Sequence, residues 1–323
     1  MNKPIKKTGE KSAKTKSVKT WSTPQREEKC VPIPCVLCGG EKLIPYFKNT
    51  GSNPLFSPGI DLELVFFSYV RCIRCGLVQI NPQPSPEAVT LRYDKNHGDD
   101  YLNYELTNEK NFLQLQELAL KDAGFDSPEK KLLTASVMAN EGPSVLDVGC
   151  ATGALLSALK AKGWNVKGVE ISGPQTVYCR KQGLDVSNLP LEENHFSDNT
   201  FDVVLASHVI EHLNNPLAFA EEIKRILKPN GCFFVTTPNI AGFQSRIFGS
   251  RWRSAIFDHL YLFSGRTLRK LLEKAGFTVE RAKTWGGLAK GSAHPLLKSI
   301  FDKMAKPLGF GDVMIIRAIC QKS

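Results

Sequence analysis

The second half of the chain alternates short apolar runs with amphipathic stretches. From Ser144 onward, runs rich in Val, Leu, Ile and Phe are separated by segments whose apolar residues recur every three to four positions. The predicted strands are Ser144–Val148, Asn165–Ile171, Phe201–Ser207, Gly231–Thr237, Phe277–Thr284 and Val313–Cys320. The predicted helices are Ala154–Ala161, Pro174–Gln182, Pro216–Leu227 and Thr267–Ala275. Strands that alternate with helices build a parallel sheet with helices on both faces, so this pattern predicts an α/β domain.

The first half of the chain has a different texture. Leu62–Val70 has the β-branched and aromatic content of a strand, and the prolines of residues 81–86 interrupt regular structure. The pattern then turns helical up to about Asn140, with three tyrosines expected in a loop between helices: Tyr93, Tyr101 and Tyr104. The predicted division is residues 1–29 as a tail, 30–82 as a small module, 83–140 as a helical linker or lid, and 141–323 as the main domain.

Charge is distributed unevenly along the chain, which has 323 residues and a formal net charge of +10. Residues 1–29 hold nine basic and three acidic side chains, a net +6, with too few apolar residues for a core. This predicts a disordered basic tail, and the alternative is an anchor for nucleic acid or an anionic surface. The tail lacks the apolar core of a secretory signal, and no stretch approaches the roughly 18 apolar residues of a membrane helix. A cytoplasmic location is therefore expected.

The strongest chemical signal is the sequence VLDVGCATG at residues 145–153. A buried strand reaches Asp147, a turn begins at Gly149, and a helix starts directly after Gly153. Such a loop lies at the carboxyl ends of the strands, where open α/β sheets bind ligands, and its glycines allow a sharp turn and close approach. Glu170 ends the next strand, 21 residues after Gly149, where a carboxylate can accept hydrogen bonds from ribose hydroxyls. The loop lacks the middle glycine of dinucleotide sites, which favours another adenosine cofactor.

Four segments within residues 143–284 carry a family resemblance: VLDVGCATG, VEIS, FDVVLASHVIEHL and LKPNGCFFVTTPN. They resemble the successive motifs of class I S-adenosylmethionine-dependent methyltransferases, and most closely those of the ubiquinone-biosynthesis O-methyltransferases. The resemblance implies a Rossmann-like sheet of seven strands, one of them antiparallel, for which Val313–Cys320 is the candidate. It assigns to S-adenosylmethionine the residues Asp147, Gly149, Cys150 and Gly153 at the methionine and ribose, Glu170 at the ribose, and Ser207 beside the sulfonium or adenine. The alternatives are that Asp147 anchors the loop and that Ser207 is an ordinary strand end.

Transfer of a methyl group needs an aligned nucleophile, and a hydroxyl or acidic carbon also gains from a general base. Histidine suits that role near neutral pH. The candidates are His212, in a Glu-His pair that recurs in the resembled family, and His259, in a long segment after the fifth strand, with His208 nearby. The alternative is that these histidines are packing residues. The same long segment has side chains that suit an anionic methyl acceptor, or that form a solvated surface: Arg246, Arg251, Trp252 and Arg253.

Two CxxC knuckles, each followed by glycine, are separated by 33 residues. Two thiolates at this spacing chelate one tetrahedral metal, and two knuckles close a four-cysteine structural site. Zinc is favoured because it needs no redox partner, and a redox-active pair or iron are the alternatives. The arrangement also resembles the zinc modules of sugar C-methyltransferases. The predicted ligands are Cys35, Cys38, Cys72 and Cys75.

These features predict a methyltransferase with S-adenosylmethionine and structural zinc, acting on a small-molecule acceptor such as a sugar, a glycan precursor or a quinone-like metabolite. The first alternative is an RNA or protein methyltransferase that binds through the module and the basic tail, with Phe66, Phe67 and Tyr69 stacking on bases. The resembled family uses an Asn/Asp-Pro-Pro-aromatic motif after the fourth strand to methylate the exocyclic amino groups of bases. This sequence lacks the motif there, which disfavours N-methylation of bases. The second alternative is a non-catalytic nucleotide-binding protein or an oxidoreductase on the same sheet.

Overall fold

A computed structural model describes five stretches of the chain, residues 30–47, 68–91, 95–125, 142–286 and 309–322. The expectations for the basic tail, for Tyr93, for Phe66 and Phe67, and for residues 126–140 lie outside these stretches. Within the described stretches, no helix combines the length and the apolar character that crossing a membrane requires.

The described residues form seven α-helices and thirteen strands. The helices are α1 (Pro86–Leu91), α2 (Lys95–Asp122), α3 (Ala154–Ala161), α4 (Gly173–Lys181), α5 (Pro216–Ile226), α6 (Phe243–Phe248) and α7 (Gly265–Lys274). The strands of the first half are β1 (Cys30–Val31), β2 (Leu43–Pro45), β3 (Ser68–Cys72), β4 (Val78–Asn81) and β5 (Gln83–Pro84). Those of the second half are β6 (Ser144–Val148), β7 (Asn165–Val169), β8 (Val186–Ser187), β9 (Phe201–Ser207), β10 (Leu227–Pro238), β11 (Tyr261–Leu262), β12 (Thr278–Trp285) and β13 (Val313–Ile319).

Seven strands form the main sheet, in the order β12-β13-β10-β9-β6-β7-β8. The five strands from β10 to β8 are parallel, and β13 is antiparallel to both of its neighbours. All seven residues of β13 are buried, as expected of a strand inserted between two others. The predicted α/β class, the seven strands and the antiparallel final strand are confirmed.

Most predicted elements of the second half agree with the observed bounds to within two residues. The exception is β10, which begins at Leu227 rather than Gly231. Its first residues pair irregularly with β9, because the register shifts between Leu227 and Cys232. The apolar pattern detects only the regular part of the strand.

Helix α2 is continuous over 28 residues and includes Tyr101 and Tyr104, so the expectation that these tyrosines lie in a loop is wrong. Both side chains are about half exposed, while Glu105 beside them is buried. Because an acid occupies the buried face of α2, the apolar residues do not recur regularly there, and the sequence pattern does not predict this part of the helix. Helix α2 packs against α3 and α4, the helices that follow the first two strands of the main sheet.

A second sheet has the order β11-β4-β3-β2. Three of its strands belong to the cysteine module (residues 30–82), but β11 comes from the main domain and pairs antiparallel with β4. One apolar cluster extends through both parts and includes Leu77, Ile80 and Phe263. The cysteine module and the main domain therefore share a core.

Candidate functional site

Two glycines in the left-handed conformation shape the loop after β6, which we call the glycine loop (residues 149–153). Gly149 and Gly153 each have a φ of +73°. A β-carbon on Gly149 would lie 2.5 Å from Cγ2 of Val209, and one on Gly153 would lie 2.4 Å from Cδ1 of Leu184. Both positions favour glycine for backbone conformation, and Gly149 also lacks space for a β-carbon beside the short Val209 side chain. The amide of Gly149 donates to the carbonyl of Val169 at 2.8 Å, which fastens the loop to β7.

Glu170, directly after β7, is held by two backbone amides. Its Oε2 accepts from the amide of Ala151 at 3.0 Å, and its Oε1 accepts from the amide of Ser172 at 2.9 Å. The carboxylate thus joins the glycine loop to the start of α4. Burial raises the pKa of Glu170, and the two amides oppose that rise. Each oxygen has a further lone pair, so hydroxyl groups of a ligand can also donate to this carboxylate.

Two other buried carboxyl groups lie close enough to Glu170 for its charge to affect them. Asp147 in β6 is 2% exposed, and Glu105 in α2 is 8% exposed. Burial, and then the charge of Glu170, raise the pKa of each group to about 7. Among the described residues, Oε2 of Glu105 has no hydrogen-bond partner. Buried acids with so few partners are suited to a cationic ligand.

The remaining predicted cofactor residues occupy the same edge of the sheet. Ser207 ends β9 one residue past the pairing with the last residue of β6, which places it level with Gly149. The side chain of Cys150 is buried against Cys179 beneath the glycine loop, which leaves its backbone for any ligand contact. The sequence does not identify Glu105 as a candidate site residue. A single acid in an amphipathic helix does not indicate which part of the protein the helix packs against.

Three histidines surround the carboxylate of Glu211 just beyond β9. Glu211 is fully buried, and His208 donates from Nδ1 to its Oε1 at 3.1 Å. The rings of His212 and His259 meet edge to face, with their centroids 4.7 Å apart. We call these four residues the histidine cluster. It adjoins the glycine loop, because the side chain of Val209 lies directly against that loop.

Backbone carbonyls fix the tautomers of two of these histidines. Nδ1 of His212 lies 2.8 Å from the carbonyl oxygen of Asp258, and Nδ1 of His259 lies 2.8 Å from that of Ser254. Since a carbonyl can only accept, each Nδ1 carries a proton, and in the neutral form of each ring the lone pair is on Nε2.

The histidine cluster combines a permanent negative charge with a neutral imidazole. Burial would raise the pKa of Glu211, but other effects, of which the hydrogen bond from His208 is the largest, lower it to about 2. Burial, and then His212, lower the pKa of His259 to about 3. The cluster can accept a proton, and it also has the donors for a divalent cation. Oε2 of Glu211 has no partner among the described residues, and the ligand atoms of Glu211, His212 and His259 lie within 4.8 Å of one another.

Two of the side chains predicted for an anionic methyl acceptor have structural roles instead. Trp252 is 1% exposed, and its Nε1 donates to Asp312 at 2.5 Å. Arg253 forms an ion pair with the same carboxylate at 2.7 Å. Trp252 is therefore out of reach of a ligand, and Arg253 is paired with a buried acid. Arg246 and Arg251 have no acidic partner among the described residues, so they stay candidates for an anionic group.

The four predicted thiol ligands converge in the cysteine module. The Sγ atoms of Cys35 and Cys75 are 3.4 Å apart, those of Cys38 and Cys72 are 3.5 Å apart, and all four lie within 4.8 Å of one another. Four sulfurs about 2.3 Å from one tetrahedral ion would be about 3.8 Å apart, which is within this range.

The two knuckles have the same backbone turn. The amide of Gly39 donates to the carbonyl of Cys35 at 2.7 Å, and that of Gly76 donates to the carbonyl of Cys72 at 2.9 Å. Both glycines have positive φ, +67° and +85°. The residue after Gly76 also donates its amide to the sulfur of Cys75 at 3.5 Å. Turns that aim amides at sulfur are typical of thiolate metal sites, so the residues present fit such an ion.

A model for the family described as methyltransferase domain matches residues 119–282, just over half of the chain. The chain belongs to the methyltransferase family. The matched residues include the glycine loop, Glu170 and the histidine cluster, and they exclude Glu105 and the four thiol ligands. The predicted membership is confirmed.

Individual relatives of this chain match over shorter stretches. A ubiquinone biosynthesis O-methyltransferase of Rickettsia conorii is 33% identical over 100 residues, which are 29% of this chain and 35% of the relative. A probable S-adenosylmethionine-dependent methyltransferase of Mycolicibacterium smegmatis is 32% identical over 143 residues, 43% of this chain and 53% of the relative. The chain thus spans about a third to a half of these curated relatives.

Among solved structures, a protein of Thermotoga maritima described as a SAM-dependent methyltransferase and possible histamine N-methyltransferase is 22% identical, with a TM-score of 0.48. The match covers 72% of this chain and 100% of that one.

Comparing alanine substitutions at Gly149 and Gly163 separates two costs to stability. One is the cost of a positive φ, and the other is the cost of a steric clash. We expect Gly163→Ala to cost about 1–2 kcal/mol of unfolding free energy, because Gly163 has positive φ but nothing within 4 Å of a β-carbon. Gly149→Ala should cost about 1–3 kcal/mol more, because the new methyl collides with Val209. Urea unfolding of both variants measures the difference, and equal costs would contradict the packing of Val209 on the glycine loop.

Proposed function

We propose that this chain transfers a methyl group from S-adenosylmethionine to a small-molecule acceptor. The proposal rests on three features that lie together at one edge of the main sheet. They are the glycine loop, which allows a ligand to approach closely, the buried carboxyl groups and the histidine cluster. The carboxyl groups suit the cofactor, and the histidine cluster suits a methyl acceptor that must lose a proton.

The charges of the cofactor fit the buried acids. When bound, S-adenosylmethionine supplies a methyl group on a positively charged sulfonium, which is already a potent donor. Glu170 would accept hydrogen bonds from the ribose hydroxyls while its amide contacts hold the glycine loop in place. Asp147 and Glu105, whose pKa values of about 7 place them between protonated and ionised, would become ionised beside a cationic ligand. The side chain of Ser207 and the backbone of Cys150 complete this half of the site.

The histidine cluster is proposed to face the methyl acceptor. His212 is half-buried and has a free Nε2, so it is the best candidate for a general base. Glu211 would stabilise the imidazolium that forms, as a buried carboxylate does in other catalytic pairs. His259, with its depressed pKa, would stay neutral and orient the methyl acceptor or His212. A base of this kind favours a hydroxyl or an acidic carbon over an amine.

Two resemblances narrow the class of methyl acceptor. The name of the Rickettsia relative supports a quinone-like metabolite with a hydroxyl group. The cysteine module supports a sugar or glycan precursor, through its likeness to sugar C-methyltransferases. The alternative of RNA binding loses one support, because Tyr69 is fully buried and cannot stack on a base.

We further propose that the four cysteines hold a structural zinc ion. All four thiols would serve as ligands, so no coordination position would remain open for catalysis. Thiols that are free rather than paired in disulfides also favour a reducing compartment, which supports the cytoplasmic location.

Replacing Glu170 tests the cofactor assignment. Glu170→Gln places an amide group against two backbone amides that need acceptors, and it weakens the bonds to the ribose. We expect affinities for S-adenosylmethionine and S-adenosylhomocysteine to fall about 10–100-fold, measured by calorimetry. Glu193→Gln, at an exposed position, is the matched control. A titration unchanged by Glu170→Gln would remove the ribose assignment.

Replacing His212 tests the general base. His212→Gln can still donate to Asp258 but cannot accept a proton, so we expect methyl transfer to slow about 10²–10⁴-fold with nearly unchanged cofactor affinity. Transfer of a labelled methyl group to metabolite extracts identifies the methyl acceptor and measures the rate. The control is His195→Asn, since His195 is exposed and has a positive φ that Asn tolerates. A rate close to that of the unaltered chain would exclude His212 as the base.

Replacing Cys38 tests the metal site. Cys38→Ser should lose one equivalent of zinc per chain and destabilise the cysteine module, because three thiols close the site poorly. Metal content is measured by mass spectrometry, and Cys232→Ala, which removes a thiol from the main sheet, should leave it unchanged. Equal zinc in Cys38→Ser and the unaltered chain would rule out the four-cysteine site.

A further inference from the structure

Residues 256–262, which we call the connector, lie between the cysteine module and the histidine cluster. The connector carries His259 itself, and its Asp258 carbonyl accepts the proton of His212 Nδ1 at 2.8 Å. Both imidazoles therefore depend on where the connector lies. A shift of its backbone would move one ring and remove the hydrogen-bond acceptor of the other.

Tyr69 of the cysteine module holds the connector from the opposite side. Its hydroxyl oxygen lies 2.7 Å from the carbonyl oxygen of Ile256 and 2.8 Å from that of His259, so its one proton is shared between two carbonyls. The side chain is fully buried. Burial, and then the charge of Asp258, hold the pKa of Tyr69 well above its usual range, so the hydroxyl remains a donor.

Strand β4 of the module makes a second attachment. The amide of Ile80 donates to the carbonyl of Leu260 at 2.8 Å, and the end of the connector is β11, which pairs with β4. From β11, the hydroxyl of Tyr261 donates to the carbonyl of Asn214 at 2.9 Å, just past the histidine cluster. These contacts therefore restrict the backbone of the connector to few positions as long as the cysteine module is folded.

The hairpin formed by β3 and β4 carries two of the proposed metal ligands. Cys72 ends β3 three residues after Tyr69, and Cys75 lies in the turn between β3 and β4. The amide of Cys72 donates to the carbonyl of Leu77 at 2.9 Å, which closes that turn. A metal held by the thiols would therefore fix the hairpin that holds the connector.

We propose that the cysteine module forms the back wall of the methyl-acceptor site, with Tyr69 as the residue that positions His212 and His259. A metal held by the four thiols would then affect catalysis only through the position of the connector, without contacting substrate. The effect on catalysis rests on the proposed function. The dependence of the two imidazoles on the cysteine module does not, because it follows from the contacts within the fold. The cofactor half of the site, on β6 and β7, should be insensitive to it.

The experiment uses the full-length, zinc-loaded chain with isotope-labelled histidine, because imidazole nitrogen signals report the tautomer directly. In the unaltered chain His212 and His259, assigned by His212→Gln and His259→Gln, should show the Nδ1-protonated form. Tyr69→Phe removes one hydroxyl and keeps the ring. It should give both imidazoles mixed tautomers, while zinc content is retained and affinity for S-adenosylhomocysteine changes by less than about twofold.

Two further variants complete the test. Cys38→Ser should cause the same change of tautomer without touching the connector, and Tyr46→Phe, at an exposed tyrosine of the same module, should cause none. Unchanged signals of His212 and His259 in Tyr69→Phe or in Cys38→Ser would overturn the proposal. Failure of the unaltered chain to bind S-adenosylhomocysteine would count against the proposed function alone, since the imidazole signals are read without cofactor.

Discussion

The hydrogen bonds that the Glu170 carboxylate accepts from the backbone hold together the proposed cofactor half of the site. By accepting one amide from the glycine loop and one from the start of α4, the carboxylate fixes the two chain segments that leave β6 and β7. An unpaired carboxylate at this depth would be costly, and two amides reduce that cost without using all of its lone pairs. The same group can therefore hold the protein backbone and the ribose of a ligand. Asp147 and Glu105 add two further buried carboxyl groups near this position.

The other half of the site is assembled from distant parts of the chain. His208, Glu211 and His212 follow β9, whereas His259 and the carbonyl that orients His212 belong to the connector. The connector is in turn held by the cysteine module. The two halves meet where Val209 packs on the glycine loop and where Ser207 is followed directly by His208. Under the proposed function, one half would bind the cofactor and the other would align the methyl acceptor.

Features encoded locally could be predicted from the sequence. Most strands of the main sheet are rich in apolar residues, and the glycine loop, Glu170 and the cysteine knuckles are defined by short spacings. What depends on tertiary packing could not be predicted. Glu105 becomes a site residue only because α2 crosses α3 and α4. The pairing of β11 with β4 involves a strand of two residues, too short to leave a pattern, and the burial of Trp252 depends on Asp312 from the far end of the chain.

The most direct test of the account is a crystal structure of the chain with S-adenosylhomocysteine. The account predicts the ribose hydroxyls on the carboxylate of Glu170, with the amides of Ala151 and Ser172 still in place, and the sulfur turned toward the histidine cluster. A ligand bound away from Glu170, or no binding of either form of the cofactor at millimolar concentration, would contradict it.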